Sequence, residues 1–490
     1  MPATLLRAAT LIPGGGAPAE SPARVLIEDG VIVATGAAAE TAGAEELALG
    51  ATVLLPGFVN AHQHGRGLPQ GVLGYPDDRL EAWGNRRRKR AAPDAFPLVQ
   101  LAALGMLANG VTACLHANWS YGGDQEAEVE TALRAYDGTG IRACVMLGVA
   151  DRGALAYPGA LDEDAFIASL APPLRDLALT LRQHPFPATT ARAVDMFDRL
   201  AARWRGHPRL GLGFGPAGPQ WVSDALFAGV AEAARARGVP LHFHLLESPL
   251  QARACAALYP EGTLRRLAAL GVLGPRTSAA HGVFLTPDDM RVLAETGTTL
   301  VANPGSNLRL GCGVPDYAAL RAAGVRIALG GDDCELNDDR DPWGELRLLA
   351  TLAGSRATAS PPAPAAAERL AIATEAGARA LGLEGRIGRI APGFAADIVA
   401  LHPGRAAAPW HDPDMPLPDL LMARASGRDV AMTMVGGKVL FRAGRFVGIA
   451  AAEVQDAALR GAQAARQHPA RDAELVEALG HALLAAYDAS

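Results

Sequence analysis

The sequence predicts an α/β protein: a (β/α)8 TIM barrel beside a small β-sandwich built from both chain ends. Three observations carry this. Apolar strands alternate with helices eight times through the middle of the chain, β-rich segments with turn signals stand at both ends, and the 490 residues suit a barrel with insertions. The expected division is 1–55 plus 385–447 for the composite β-unit, 56–384 for a catalytic barrel, and 448–490 for a C-terminal helical extension.

The elements follow in order. Arg24–Glu28 and Val31–Thr35 flank a turn at Asp29-Gly30, and Ala51–Leu55 leads to Pro56-Gly57. The barrel units are then Val53–His62 with helix 98–109, Val111–His116 with helix 126–137, and Arg142–Ala150 with a helical insertion to about 205. Leu210–Gly215 precedes helix 223–237, Leu241–Leu246 precedes helix 261–270, and Ser278–Val283 precedes helix 286–296. Thr298–Asn303 with helix 316–323 and Arg326–Gly331 with helix 343–353 complete eight. Ala366–Leu383 reads as one additional helix. Strands return at Asp397–Leu401 and Ala431–Phe446, the latter turning at Gly436-Gly437, and the Ala-rich stretch after Ile449 reads as amphipathic helices.

Half of the residues are hydrophobic and 20% are charged, as in a globular chain with a large core. A net charge of −6 offers no footprint for nucleic acid or an anionic membrane. Five cysteines without a CxxC pair, and the lack of a secretory signal, point to a reducing, cytoplasmic setting. Ala95–Gly123 carries no charge, but Pro97, Gly105 and Gly110 break it into a buried helix and a buried strand rather than a membrane span.

Functional groups of such a barrel sit where strands end. The first strand ends in His62-Gln63-His64, and residues i and i+2 share a strand face, so both imidazoles can reach one metal. The fifth ends in His242-Phe243-His244-Leu245-Leu246-Glu247. His244 can add a third nitrogen, Glu247 can reach a substrate without ligating, and His242, deeper, reads as a satisfied core histidine. The sixth ends at His281. The eighth ends at Asp332, after which no helix begins, so a capping role does not explain it; Asp333 reads as a loop or cap residue. Imidazoles and a carboxylate at four strand ends describe a site for a divalent metal and a water.

PGFVNAHQH, HLLE, AHG, NPGSNLRLGCG (303–313) and GGDD, in this order, resemble the amidohydrolase superfamily. They are most similar to its single-metal branch of cytosine, guanine and S-adenosylhomocysteine deaminases and chlorotriazine hydrolases. The likeness runs to about residue 445 and includes Gly388-Arg389-Ile390-Ala391-Pro392-Gly393. The resemblance implies His62, His64, His244 and Asp332 as ligands of one divalent metal per chain, zinc or alternatively iron. It also implies Glu247 as proton shuttle, His281 as a transition-state contact and Asp332 as the base. The only lysines, Lys89 and Lys438, lie far from the fourth strand, where two-metal relatives carry a bridging lysine.

The implied reaction is hydrolytic deamination of a small N-heterocycle such as an aminopyrimidine, purine, pterin or triazine. Ring opening of a cyclic amide or amidine, halide displacement, and an inactive scaffold are the alternatives. The partner is a small molecule, not nucleic acid or membrane, and a homo-oligomer is compatible with the sequence. Expected substrate contacts are Arg66, Gln70, His116, Trp119, Gln220, Trp221 and Asn303. The segment after the fourth strand, Gly215 to Trp221, and His116-Ala117-Asn118-Trp119 depart from the common deaminase patterns. The run Arg86-Arg87-Arg88-Lys89-Arg90 reads as a solvated helix face or an oligomer contact.

Overall fold

Leu-, Val- and Ile-rich runs near the N-terminus form β1 (Thr4–Ala8), β2 (Thr10–Leu11), β3 (Ala23–Glu28), β4 (Val31–Thr35), β5 (Glu45–Ala48) and β6 (Val53–Pro56). The computed structural model describes residues 3–40, 43–119, 123–182, 184–356, 363–467 and 471–490. The barrel consists of β7 (Phe58–Gln63), β8 (Val111–Ala117), β9 (Arg142–Val149), β10 (Leu210–Pro216), β11 (Leu241–Leu245), β12 (Thr277–His281), β13 (Thr299–Ala302) and β14 (Arg326–Leu329). These pair in sequence order, each parallel to the next. Four strands follow: β15 (Ile398–Leu401), β16 (Val430–Val435), β17 (Lys438–Arg442) and β18 (Arg445–Phe446).

Barrel closure is made by backbone. The amides of Gly331 and Asp332, just past β14, both donate to the His62 carbonyl at 3.1 and 2.9 Å. Only glycine fits at the approach. A Cβ on Gly330 would lie 2.2 Å from Asn303 Oδ1, and one on Gly331 would lie 2.1 Å from Glu335 Oε1.

The run predicted as one strand over Val53–His62 is two. β6 pairs antiparallel with β15 in the sandwich, and β7 enters the barrel. The chain crosses over at Gly57, whose position is packed so closely on Thr112 that a Cβ would meet its Oγ1 at 2.1 Å. The predicted helix Ala366–Leu383 is likewise two, Ala366–Ala373 and Glu375–Ala380, broken at Thr374 (φ −131°, ψ −78°). The insertion holds three helices, Glu163–Ser169, Pro172–Leu181 and Thr190–Arg203. Helices at Leu80–Arg86, Pro249–Leu258 and Pro304–Arg309, and strands β1, β2 and β5, lie outside the predicted elements.

Beside the barrel lie two sheets, ordered β4-β3-β1-β5 and β18-β17-β16-β15-β6-β2. The second interleaves strands from both chain ends. Leu6, Val25, Ile27 and Ile32 of the first sheet pack with Leu54, Ile398, Met432 and Met434 of the second in one buried cluster. Alternation of apolar residues along each strand supplies the facing layers. No described helix is long and apolar enough to cross a membrane.

The sandwich is bolted to the barrel by an ion pair. Arg142, at the start of β9, donates from Nε and Nη2 to both oxygens of Asp397 at 2.9 Å, and Asp397 also accepts from the Gly436 amide at 2.8 Å. Their side chains are only 6% and 1% exposed, so removing one partner strands a buried charge. Arg142→Ala should therefore lower stability by ~3–5 kcal/mol, read from the urea midpoint; a change within error would show the pair to be unimportant. Deleting residues 1–50 removes β1–β5, one face of the shared cluster. Protease cleavage within 385–445 should then accelerate, and unchanged protection there would contradict the shared core.

Candidate active site

β7 does not keep a simple alternation. Val59 and Ala61 face the barrel interior with Ala113, Leu115 and Val301, whereas Asn60 reaches outward, its Nδ2 3.8 Å from Met106 Sδ. Continued alternation would send Gln63 inward. Instead Asn60 pairs with Cys114 and Gln63 with His116, three steps against two, which is a one-residue bulge. The bulge reverses the phase, so His62 and His64 point in and Gln63 points out to Tyr136 Oη at 2.9 Å.

Four imidazoles converge there, each held at its Nδ1. His64 Nδ1 lies 2.6 Å from the Ala117 carbonyl oxygen and His244 Nδ1 3.0 Å from that of Ala217. His281 Nδ1 lies 2.9 Å from Asn307 Oδ1, and His62 Nδ1 2.8 Å from His242 Nε2. A carbonyl acceptor at Nδ1 keeps the proton there and leaves Nε2 with a lone pair for a ligand. His242, in turn within 2.7 Å of Ser278 Oγ, is the buried, hydrogen-bonded histidine expected, and it sets the orientation of His62. Nε2 of His62 and of His281, although buried, have no hydrogen-bond partner among the described residues.

Asp332 completes the cluster, with Oδ1 3.1 Å from His64 Nε2 and 3.5 Å from His62 Nε2. Its Oδ2 accepts from Ser306 Oγ at 2.6 Å. His62, His64 and Asp332 could together hold a metal ion, as could His62, His244 and His281. Convergent Nε2 atoms, two of them orphaned, fit a divalent metal far better than a packed core. Asp332 (φ 55°), His281 (φ 74°) and Leu246 (φ 44°) all adopt left-handed backbone, strain concentrated at the strand ends that carry the cluster.

Electrostatics separate the two acids. Burial, and then the charges of Asp332 and Glu81, push the Glu247 carboxyl well above its usual range. Burial would also raise Asp332, but its close contacts with the His62 and His64 rings outweigh it and hold that carboxyl well below. Burial lowers His62 to about 4, so its ring is neutral. Glu247 is anchored by its amide, which donates to Gln251 Oε1 at 3.1 Å, and by Gln251 Nε2, which donates to its Oε2 at 3.3 Å. Glu247 Oε1 stands 3.7 Å from His281 Nδ1.

The cluster floors a cavity of about 520 Å³, lined by His64, His244, Glu247 and Asp332 and walled by Trp119 and Trp221. The two indoles cross edge to face at 5.1 Å, with Trp119 5.6 Å from His244. Of the expected substrate contacts, these two line the cavity; the other five do not. His116 shares the outward parity of Cys114 and pairs with Tyr136 Oη at 2.9 Å. Asn303 lies behind His281 at 3.4 Å, Gln220 receives Cys255 Sγ at 3.7 Å, and Gln70 is buried. Arg66 Nε pairs with Asp333 Oδ1 at 3.1 Å.

Asp333 is thus no simple cap, because Arg87 Nη1 also bonds its Oδ2 at 3.0 Å. The arginine run is correspondingly not a solvated face. Arg87 is buried over Trp83, with its guanidinium 4.5 Å from the ring, and Arg86 and Lys89 pair with Glu477 of the C-terminal helix. Glu81, Tyr157 and Leu310 also line the cavity and were missed. Glu81 accepts from Ser248 Oγ at 2.5 Å, a contact across 167 residues that no local pattern announces. Ser306 and Asn307 lie inside the quoted 303–313 motif, whose length alone could have flagged them.

Residues 53–440 match the model of the amidohydrolase family. The chain is 30% identical to a 5-methylthioadenosine/S-adenosylhomocysteine deaminase of Nitratidesulfovibrio vulgaris, covering 86% of this chain and 88% of the relative. It is 28% identical to a 5'-deoxyadenosine deaminase of Methanosarcina mazei, covering 85% and 88%. Among solved structures, an adenosine deaminase from Xanthomonas campestris with bound zinc superposes with a TM-score of 0.76 at 26% identity, covering 95% and 98%. The family match spans the whole barrel together with strands of the composite sheet on either side of it, and the chain belongs to the amidohydrolase family.

Proposed function

We propose that this chain is a zinc-dependent aminohydrolase that removes the exocyclic amine of an adenosine-type nucleoside. The observation that carries the reading is the pair of opposed carboxyls. Glu247, its carboxyl pushed above the usual range, and Asp332, its carboxyl held below it, offer oxygens within 4.8 Å of each other and of a His281 ring nitrogen. Two acids with separated affinities at one site divide proton donation from proton acceptance. The adenosine-related substrates named for the relatives support the choice of a purine nucleoside.

His62, His64, His244 and Asp332 would hold one zinc ion; three neutral imidazoles and a carboxylate suit zinc better than magnesium or calcium. When bound, the ion supplies a Lewis acid that makes hydroxide available near neutral pH. Asp332 takes the proton of the attacking water, and His281 holds the attacking oxygen within reach of its Nε2. Glu247 protonates the ring nitrogen beside the attacked carbon, and a proton then passes to the departing amine as ammonia. Trp119 and Trp221 wall the planar ring beside His244 and exclude water from it. In this reading residues 56–384 carry the reaction, 1–55 with 385–447 form the composite β-unit, and 448–490 are the helical extension.

Zinc content should be one per chain by elemental analysis, and His62→Ala or His244→Ala should lower occupancy markedly. Unchanged content in either would show that the ligands are misassigned. Glu247→Gln should keep the metal and bind nucleoside while ammonia release from adenosine falls ~10²–10⁴-fold, the usual worth of a positioned acid–base group. Near-normal turnover would remove Glu247 from the mechanism. Wild-type protein that opens a cyclic amide or releases halide, but no ammonia, would overturn the deaminase reading.

A further inference from the structure

Glu247, the proton donor of the proposed reaction, is held from a distance as well as by its neighbours. It meets Gln251 twice, through its amide on Gln251 Oε1 at 3.1 Å and through its Oε2, which accepts from Gln251 Nε2 at 3.3 Å. Gln251 is fully buried in the first turn of the helix Pro249–Leu258. Its own amide donates to Ser248 Oγ at 3.2 Å, so Ser248 caps that helix. The same hydroxyl donates its proton to Glu81 Oε1 at 2.5 Å. Glu81, Ser248, Gln251 and Glu247 thus form one chain of hydrogen bonds that ends on the reacting carboxyl.

Each link limits the next. A hydroxyl that accepts from an amide and donates to a carboxyl has no free rotation left, so the first turn of the helix is pinned from the Glu81 side. Glu81 acts from a firm base. Its helix, Leu80–Arg86, is docked by the Leu80 amide on the Leu310 carbonyl at 3.1 Å and by Asn85 Nδ2 on the Val476 carbonyl at 2.8 Å. Tyr157 stands near Glu81, Gln251 and Glu247 and closes the chain off from the rest of the cavity wall. Burial pushes the Glu81 carboxyl above its usual range, and a neutral carboxyl still offers an oxygen to Ser248.

We infer that Glu81 is a positioning residue for Glu247: through Ser248 and Gln251 it fixes the carboxyl that moves protons, and it does so as a hydrogen-bond acceptor rather than as a charge. The inference rests on the aminohydrolase reading for the role of Glu247. A donor that serves first a ring nitrogen and then the departing amine works only from a fixed place, since a misplacement of about 1 Å can cost two orders of magnitude in rate.

The test is steady-state ammonia release from adenosine, with metal content and calorimetric adenosine affinity measured alongside. Glu81→Ala should lower kcat about tenfold, the order of one lost hydrogen bond, while KM stays within about twofold and one metal per chain is kept. Glu81→Gln, which still offers an oxygen to Ser248, should recover most of that loss. Ser248→Ala, which breaks the same bond from its other side, should reproduce the loss, and the double variant Glu81→Ala/Ser248→Ala should be no slower than either alone. In the Glu247→Gln protein, adding Glu81→Ala should change neither the residual turnover nor the adenosine affinity by more than about twofold, because its effect passes through Glu247. No recovery in Glu81→Gln, a raised KM, a weakened affinity, or a further loss of turnover in the Glu247→Gln protein would overturn the inference alone. Wild-type protein that releases no ammonia would overturn the aminohydrolase reading and the inference with it.

Discussion

The His62 residue joins the two ends of the barrel and its chemistry in one place. Its carbonyl accepts both amides that bring β14 back to β7, while its ring enters the imidazole cluster. The bulge just before it makes both possible, because one extra residue turns the side chain inward while the backbone keeps its place in the sheet. Asp332, donating its amide to that same carbonyl, is thereby placed beside a histidine 270 residues earlier in the chain. Gly330 matters for the same reason, since a Cβ there would press on Asn303 and on His62 itself.

So many buried polar groups would be costly if unpaired, and the structure pairs each at the side away from the cavity. Backbone carbonyls of Ala117 and Ala217, the amide oxygen of Asn307 and the ring of His242 each occupy one imidazole nitrogen. The remaining nitrogens face one point. Such an arrangement is stable only when something at that point completes it, which is the physical argument for a divalent ion. It also explains why the two carboxyls differ: Asp332 lies against imidazoles, whereas Glu247 lies against Gln251, Cys312 and other acids.

Around this floor the cavity is assembled from segments far apart in the chain. The helix Leu80–Arg86 brings Glu81 and Trp83, β8 leads to Trp119, the loop after β10 brings Trp221, and the last helix brings Leu483 and Tyr487. Ion pairs from Arg86 and Lys89 to Glu477, and from Arg87 to Asp333, tie that rim both to the last helix and to the end of β14. Charge that reads in sequence as a solvated run is spent inside the molecule.

By itself the sequence determined the eight-fold alternation of strand and helix and the placing of His62, His64, His244, Glu247, His281 and Asp332 at strand ends. Periodicity and local motif are properties of neighbouring residues, so both survive in a linear reading. Which residues face the substrate was decided only by tertiary structure. His116 was expected at the mouth and instead faces Tyr136, because along β8 it alternates with the inward-facing Leu115 and Ala117. Arg66 and Arg87 turn to Asp333, and Glu81 comes to Ser248, through contacts between segments whose approach depends on barrel closure. The strand boundary at Gly57 was hidden for a related reason. An unbroken apolar run looks the same whether it stays in one sheet or crosses between two, and only the partners, β15 on one side and β8 on the other, distinguish them.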